Sequence, residues 1–424
     1  MQSLLAKDKQ YVWHPFTPQK STLEMLPVKR AKGCVIELED GRKIIDAISS
    51  WWVNTHGHSN EYIADALSKQ ARTLEHVIFA GFTHEPAITL SERLINILPS
   101  KQAKVFFSDN GSTSTEVAMK MALQYFWNKQ EKNRKKIVAI DGSYHGDTFG
   151  AMSAGDRNAF SAPFAPYLFD VSFIPFPGGD QANTAIEAFE ALAKTGEVAA
   201  FIYEPLVQGS AGMRMYTPET LNTLIKIAHK YGVLCIADEV MTGFGRTGKY
   251  FSSLHMEEQP DIMCLSKGLT GGTMALGLTT CTQEVYEAYL VDDIMKTFFH
   301  GHSFTGNPLA CAVANASLDL LLSEECQSNL RRIEERHAAF AEKAKGFKNA
   351  CNIRQRGTIL ALDFDTQEES SYFNQKRDFL YETCISKGVL LRPLGNVIYV
   401  LPPYVITDEE LEQVYGVIEH LFNL

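Results

Sequence analysis

The stretch Val233–Gly272, VLCIADEVMTGFGRTGKYFSSLHMEEQPDIMCLSKGLTGG, decides the fold. Val233 to Ala237 is an unbroken apolar run without alternation, the pattern of a parallel strand covered on both faces. It delivers Asp238 at its carboxyl end. A second apolar run, Ile262 to Leu265, delivers Lys267, followed by Gly268, Gly271 and Gly272. Open α/β sheets bind ligands at the carboxyl ends of their strands, so a lysine there stands at the mouth of a site. The separation of roughly thirty residues leaves room for one crossover between neighbouring parallel strands.

A lysine and an aspartate at adjacent strand ends allow two readings. One is a buried ion pair. The other is a pyridoxal phosphate site, in which a lysine amine condenses with the aldehyde and a carboxylate keeps the pyridine nitrogen protonated, so that the ring withdraws electrons. The wording around both residues favours the second. DEVMTGFGRTG followed by LSKGLTGG resembles the signature of the class III, or omega, aminotransferases of the aspartate aminotransferase fold.

Composition agrees with an enzyme of that size. A chain of 424 residues exceeds one typical domain, so two domains are expected. With 45% apolar and 21% charged residues, the composition is that of an ordinary soluble protein. The formal net charge of -10 argues against nucleic acid as a partner, because phosphate contacts need a basic surface. The start, MQSLLAKDKQ, lacks a long apolar core, so no signal peptide is expected. Nor is a membrane span, since no apolar run reaches about 18 residues. Cys34, Cys235, Cys264, Cys281 and Cys311 lie in or beside apolar stretches and read as small core residues of a reducing cytoplasm.

Along the chain, the aromatic segment Tyr11 to Pro18 reads as an arm packed on the core, or as one that also closes over a substrate pocket. CVIELEDGRKIIDAI reads as a hairpin turning at Asp40-Gly41. In SSWWVNTHGH the adjacent tryptophans Trp51 and Trp52, taken as extended, point to opposite sides, one to a pocket and one to the core. His56 and His58, like His300 and His302, invite a metal reading, but no third ligand at suitable spacing accompanies them and no metal is expected. Helical stretches are expected at Tyr62 to Thr73 and Pro86 to Leu98.

From Lys104 the strand–helix rhythm begins. A strand ending at Ser108 leads into a helix whose N-terminus carries Gly111, Ser112 and Thr113, where free N–H groups and the helix dipole favour an anion. Serine and threonine also cap helices without any ligand. The strand Ile137 to Ile140 ends in a loop carrying Tyr144, His145 and Asp147, and Tyr144 is either simply packed or lies against a pyridine ring, the reading that the polar loop favours. The strand Val198 to Tyr203 ends at Glu204, either a partner for an arginine or a gate to substrate. Thr217-Pro218 starts a helix in cap-then-proline order. Further on, Gly277 to Cys281 reads as a strand, and a small-residue loop precedes a helix at 309–322. The segment Asn329 to Lys345 reads as a charged helix, and Thr407 with Glu410 as a capping box. Arg392 follows an apolar strand; it is either a surface arginine or a fork for a substrate carboxylate.

The resemblance runs over nearly the whole chain, through WHPFT, SSWWVNTHGH, DNGSTSTEVAMKMALQYF, SYHGDTFGAMS, EPLVQGSAGMRMY, HGHSFTGNPLACAVANASL and RPLGNVIYVLPPY. These segments look like the biotin-pathway branch of the class. The resemblance implies an α/β fold of the aspartate aminotransferase type (type I). A large domain with a mainly parallel sheet, 56–319, would bind the cofactor, and both termini, 1–55 and 320–424, would form a smaller α+β domain. It implies pyridoxal 5'-phosphate as cofactor and a homodimer with shared active sites; a cytoplasmic location is expected mainly from the absent signals.

It also implies roles. Lys267, Asp238 and Tyr144 would be catalytic. Gly111, Ser112, Tyr144, Asp238, Val240, Lys267 and Ser303 would hold the cofactor, with Ser303 reaching into the partner subunit's site. Trp51, Phe16, Tyr144, Asp147, Gly301 and Arg392 would bind substrates. Those would be 8-amino-7-oxononanoate as acceptor and S-adenosylmethionine as amino donor. Many users of that donor carry tyrosine where this chain has Phe16, and a branch that uses lysine carries phenylalanine, so both donors stay open. The other readings are an omega-aminotransferase acting on ornithine, 4-aminobutyrate or a diamine, and a catalytically silent protein that keeps the fold. A dehydrogenase is disfavoured, because no GxGxxG follows an early strand.

Overall fold

The computed structural model describes residues 3–20, 25–99, 101–366 and 376–424. Strands β1 (Val28–Lys32), β2 (Val35–Leu38) and β3 (Lys43–Asp46) form an antiparallel meander. The turn between β2 and β3 falls at Asp40-Gly41 as expected: Gly41 takes φ 87° and Asp40 Oδ1 accepts the Arg42 N–H.

Next come β4 (Gln102–Ser108), β5 (Lys136–Ile140), β6 (Ser172–Ile174), β7 (Val198–Tyr203), β8 (Val207–Gln208), β9 (Arg214–Met215), β10 (Leu234–Asp238), β11 (Ile262–Leu265) and β12 (Gly277–Thr282). Seven of these stand side by side in the order β4-β12-β11-β10-β7-β5-β6, while β8 and β9 pair with each other. Only β12 runs against its neighbours in this sheet, so the sheet is mainly parallel.

Every residue of β7, β10 and β11 is buried. The pleat explains why their sequences do not alternate. Leu234 and Ile236 enter one apolar cluster with Val117, Met121 and Tyr125 of the helix Gly111–Asn128. Cys235 and Ala237 enter another, with Leu221, Leu224 and Ile225 of the helix Pro218–Lys230. Both faces are covered, so both sets of positions must be apolar. Thr217 caps the second helix through the Thr220 N–H, and Pro218 follows in its first turn, as read from the sequence.

After the helices Pro308–Leu322 and Glu324–Ala344, the chain forms β13 (Ala350–Arg356), β14 (Ile359–Phe364), β15 (Val389–Leu390) and β16 (Val397–Val400). β13, β14 and β16 make an antiparallel sheet, and β15 adds in parallel to β3, with Val389 opposite Ile45. The N-terminal meander and the C-terminal segment thus share a sheet. The expected capping box of Thr407 and Glu410 opens the last helix, Asp408–Phe422.

Three local expectations are corrected. The tryptophans are not on an extended segment: Ser49–Trp52 is a kinked helical turn, because the buried Asp46 carboxylate accepts the N–H groups of Ile48 and Ser50 and wraps the chain around itself. The charged helix starts at Glu324 rather than Asn329, since Ser323 caps it through the Cys326 N–H. The arm is only partly packed: Pro15 and Phe16 line the large cavity, which fits the reading of an arm over a pocket, whereas Tyr11 and Trp13, 75% and 84% exposed, do not pack on the core.

Candidate active site

A cavity of about 1800 Å³ opens at the carboxyl edge of the sheet. Its floor is made by strand ends. β10 supplies Asp238, the residues after β11 supply Ser266 and Lys267, the loop after β5 supplies Tyr144 to Thr148, and β7 leads directly into Glu204.

Lys267 opens a short 3-10 turn at φ 45°, a left-handed conformation rarely taken by a side-chain-bearing residue. Its Nζ lies 4.6 Å from the centre of the Trp52 ring. Burial pushes this amine down to about 8, against the opposing pull of the Asp238 and Glu204 carboxylates. The result is a lysine with an accessible neutral form near physiological pH, as a nucleophilic amine requires. Trp52 is fixed beneath it by its indole N–H, which donates to Tyr399 Oη at 2.9 Å. The fully buried Arg246 donates to the carbonyls of Pro402 and Trp52 and holds that turn in place.

Asp238 is buried and paired. His145 Nδ1 donates to its Oδ2 at 2.7 Å, and the Val240 N–H donates to its Oδ1 at 3.1 Å. Both carboxylate oxygens are thereby held in place on the cavity floor.

The helix Gly111–Asn128 presents its N-terminus to the same space. Asn110 takes the Thr113 N–H on its side chain and the Ser114 N–H on its carbonyl, which leaves those of Gly111 and Ser112 for a ligand. A Cβ on Gly111 would lie 2.6 Å from Val240 Cγ1, so the backbone can approach only because no side chain is there. Ser112 Oγ is held by the hydroxyl and N–H of Thr148, which ties the helix start to the Tyr144 loop.

Tyr144 is partly exposed in the cavity, and its hydroxyl is pushed well up by burial, with the adjacent Asp147 adding to the shift. Glu204 resolves the two readings left open for it. Among the described residues it pairs with no arginine; its Oε1 accepts the Tyr144 N–H at 3.0 Å and its Oε2 the Gly209 N–H at 2.9 Å. Burial raises its carboxyl to about 7, with Asp238 adding to the rise and His145 opposing it. Farther out, Arg392 lies over the Trp51 ring at 5.0 Å, and Phe16 packs on Trp51 and Phe160. Among the described residues no carboxylate pairs with Arg392, whereas Arg354, also on the cavity wall, is paired with Asp363 at 2.7 Å.

The cavity therefore brings together Phe16, Trp51, Gly111, Ser112, Tyr144, Asp147, Asp238, Val240, Lys267 and Arg392. Gly301 and Ser303 lie outside it, on an exposed loop. The histidines that invited a metal reading have separate partners: His56 bonds Ser317, His58 bonds Asp46 and Asn54, His300 bonds Lys120, and His302 accepts the Phe304 N–H. Sequence reasoning missed the His145–Asp238 pair, the Glu204 clasp and the two supports of Trp52.

The donor set fits pyridoxal phosphate: a buried amine shifted toward neutrality, a fixed carboxylate, an aromatic side wall and a helix start cleared of side chain for an anion. Comparison with known proteins agrees. The family model for aminotransferase class III matches residues 16–422. An adenosylmethionine-8-amino-7-oxononanoate aminotransferase of Synechococcus elongatus is 48% identical, over 97% of this chain and 98% of that protein. The solved structure of an enzyme of the same name from Methanocaldococcus jannaschii superposes with a TM-score of 0.93 at 34% identity, covering 99% of this chain and 98% of that one. An omega transaminase from Pseudomonas jessenii, solved in complex with PMP, superposes with a TM-score of 0.91 at 26% identity, covering 98% and 96%. Class III enzymes depend on pyridoxal phosphate. With its fold, its lysine–aspartate floor and this likeness along nearly its whole length, the chain belongs to the class III aminotransferases.

Proposed function

We propose that this chain transfers an amino group to 8-amino-7-oxononanoate, forming 7,8-diaminononanoate in biotin biosynthesis, with S-adenosylmethionine as donor. The observation that carries this reading is the Arg392 fork, laid over Trp51 in the Lys267 cavity and paired with no carboxylate among the described residues. It suits a chain-like substrate whose carboxylate is remote from its reacting carbonyl. The names carried by the Synechococcus and Methanocaldococcus relatives support the same acceptor.

When bound, pyridoxal phosphate supplies an aldehyde that condenses with amines and a protonated ring that withdraws electrons. The chain does the rest. Lys267 Nζ, whose neutral form burial makes accessible, would take a proton from the donor's carbon and return one later. Asp238, oriented by His145, is the carboxylate that would pair with the ring nitrogen of the bound cofactor. Gly111 and Ser112 would hold the phosphate through the free N–H groups of the helix N-terminus, and Val240 and Tyr144 would flank the ring. Trp51, Phe16 and Asp147 shape the substrate space and exclude water from it.

Ser303 and Gly301 take their roles from a second copy. Exposure of Phe299, Phe304, Tyr11 and Trp13 supports a homodimer, in which the partner subunit's Ser303 supplies a hydroxyl to the phosphate. The chain divides into a cofactor-binding domain, 56–319, and a small domain from 1–55 and 320–424. The cysteines, all free, suit a reducing cytoplasm.

Phe16 favours a second donor. It presents a ring without a hydroxyl to Trp51 and Phe160, and lysine would then replace S-adenosylmethionine. Growth of a biotin auxotroph that lacks this amination step tests the acceptor. Rescue by this chain supports the reading, and failure of a well-expressed, cofactor-loaded chain turns the assignment toward another omega-aminotransferase.

A further inference from the structure

At the edge of the sheet away from the catalytic cavity, three potential metal ligands converge from three separate elements. His229 lies in the last turn of the helix Pro218–Lys230, Cys235 near the start of β10 and Asp261 just before β11. Their donor atoms all lie within 4.8 Å of one another, the one such group of His, Cys, Asp or Glu among the described residues. We propose that His229, Cys235 and Asp261 form a site for a divalent transition metal ion of the zinc class.

The surrounding hydrogen bonds fit this occupant. His229 Nδ1 lies 3.1 Å from Glu258 Oε2, and a carboxylate can only accept, so Nδ1 carries a proton; in the neutral ring the Nε2 lone pair is then available. That Nε2 is buried without a hydrogen-bond partner, 3.4 Å from Asp261 Oδ2. A lone pair facing a carboxylate oxygen is repulsive unless a cation stands between them. The carboxylate–imidazole–metal relay is the arrangement that orients histidine ligands in metal sites. Asp261 is itself fixed: it accepts the Cys235 N–H at 2.8 Å and donates its own N–H to the Cys235 carbonyl. Glu258 is fixed through its N–H, which donates to Asn222.

The donor types select the ion. One sulfur, one imidazole nitrogen and one carboxylate suit zinc and its neighbours rather than magnesium or calcium, which take oxygen. Four-coordinate zinc holds such donors at about 2.0–2.3 Å, so the group contracts slightly on binding, and water completes the shell from the open side of His229. Binding releases the Cys235 thiol proton to solvent, and thiolate and carboxylate together balance the two charges of the ion. The competing occupant of Nε2 is a proton, which makes an imidazolium between Glu258 and Asp261. The site also touches the catalytic strand, since Cys235 precedes Asp238 on β10 by about 10 Å of chain.

Cobalt(II) is the probe. Cofactor-loaded full-length protein, dialysed against EDTA and freed of it, is titrated with cobalt(II) while absorbance and Tm are followed. The expected result is one ion per chain, with visible d–d bands and a near-ultraviolet thiolate charge-transfer band, a raised Tm, and loss of the bands when zinc displaces cobalt. Cys235→Ser removes the charge-transfer band and weakens binding at least tenfold. His229→Gln, at a partly exposed helix end, weakens binding by a similar factor and keeps the test open if the buried Cys235 variant folds poorly. A titration without a saturable thiolate band overturns the proposal, as does a spectrum unchanged in His229→Gln.

Discussion

His145 Nδ1 lies 2.7 Å from Asp238 Oδ2, and both side chains are buried at the floor of the cavity. The pair joins the loop after β5 to the end of β10, so the carboxylate proposed to pair with the cofactor is set by a residue of a different loop. Asp238→Asn is expected to lower kcat by about 10²–10³-fold, the loss typical of removing one preorganised electrostatic group. His145→Asn acts through position and is expected to cost about tenfold in kcat with KM little changed. The distinguishing readout is the pH at which the bound cofactor's visible band changes. It shifts in His145→Asn if the pair tunes Asp238, and stays put if His145 only fills space.

Lys267 gives a pH dependence of its own. In the cofactor-free chain its amine is lowered from 10.5 to about 8 by burial. Between those values the unfolded chain binds a proton that the native chain does not, so stability rises with pH across that window and the cost of burying the cation is full below it. Covalent uptake of pyridoxal phosphate, trapped by borohydride, should rise tenfold per pH unit up to about pH 8 and then level off. A rate still climbing toward 10.5 would contradict the buried placement of the amine.

Glu204 works in the opposite sense. Its carboxyl is raised from 4.5 to about 7, so between these values the native chain holds a proton that the unfolded chain has lost. Stability therefore falls as pH rises through that window, by a total of about 3 kcal/mol once fully deprotonated. Glu204→Gln removes this dependence. Urea denaturation at pH 5 and pH 8 should show the variant gaining on the parent chain by up to that amount at the higher pH. It should also loosen Tyr144, whose N–H Glu204 accepts.

Arg392 is the test of acceptor binding. Arg392→Ala should raise the acceptor KM by about 10–100-fold, the value of one charged hydrogen-bonded contact. Arg392→Lys should recover only part, because an ammonium cannot make the paired contact. The methyl ester of the acceptor should be a poor substrate for the parent chain, and no worse than the acid for Arg392→Ala. Equal use of acid and ester by the parent chain would remove the role.

Much of this was legible in the sequence. β7 and β11 fall where their apolar runs placed them, and β10 is shifted by one residue, because strands buried on both faces cannot be interrupted by polar residues. Lys267 and Asp238 could be read because each follows such a run. The His145–Asp238 pair could not be, since 93 residues separate its members and only the order of β5, β7 and β10 in the sheet brings them together. The double tryptophan misled for a local reason. Its dipeptide looked extended, and the turn around Asp46 that overrides this depends on a carboxylate with no signature of its own. The clasp made by Glu204 was equally hidden, because its partners are backbone N–H groups, which every sequence offers.

The central claim is that the Lys267 site moves an amino group from S-adenosylmethionine or lysine to 8-amino-7-oxononanoate. The most direct test follows the visible absorbance of the cofactor-loaded protein as each donor is added separately, without acceptor. The account predicts that one of the two converts the Lys267-bound cofactor to its amine form, and that adding the acceptor restores the original band. If neither donor has an effect while another amine does, or if the acceptor fails to restore the band, the proposed reaction is contradicted.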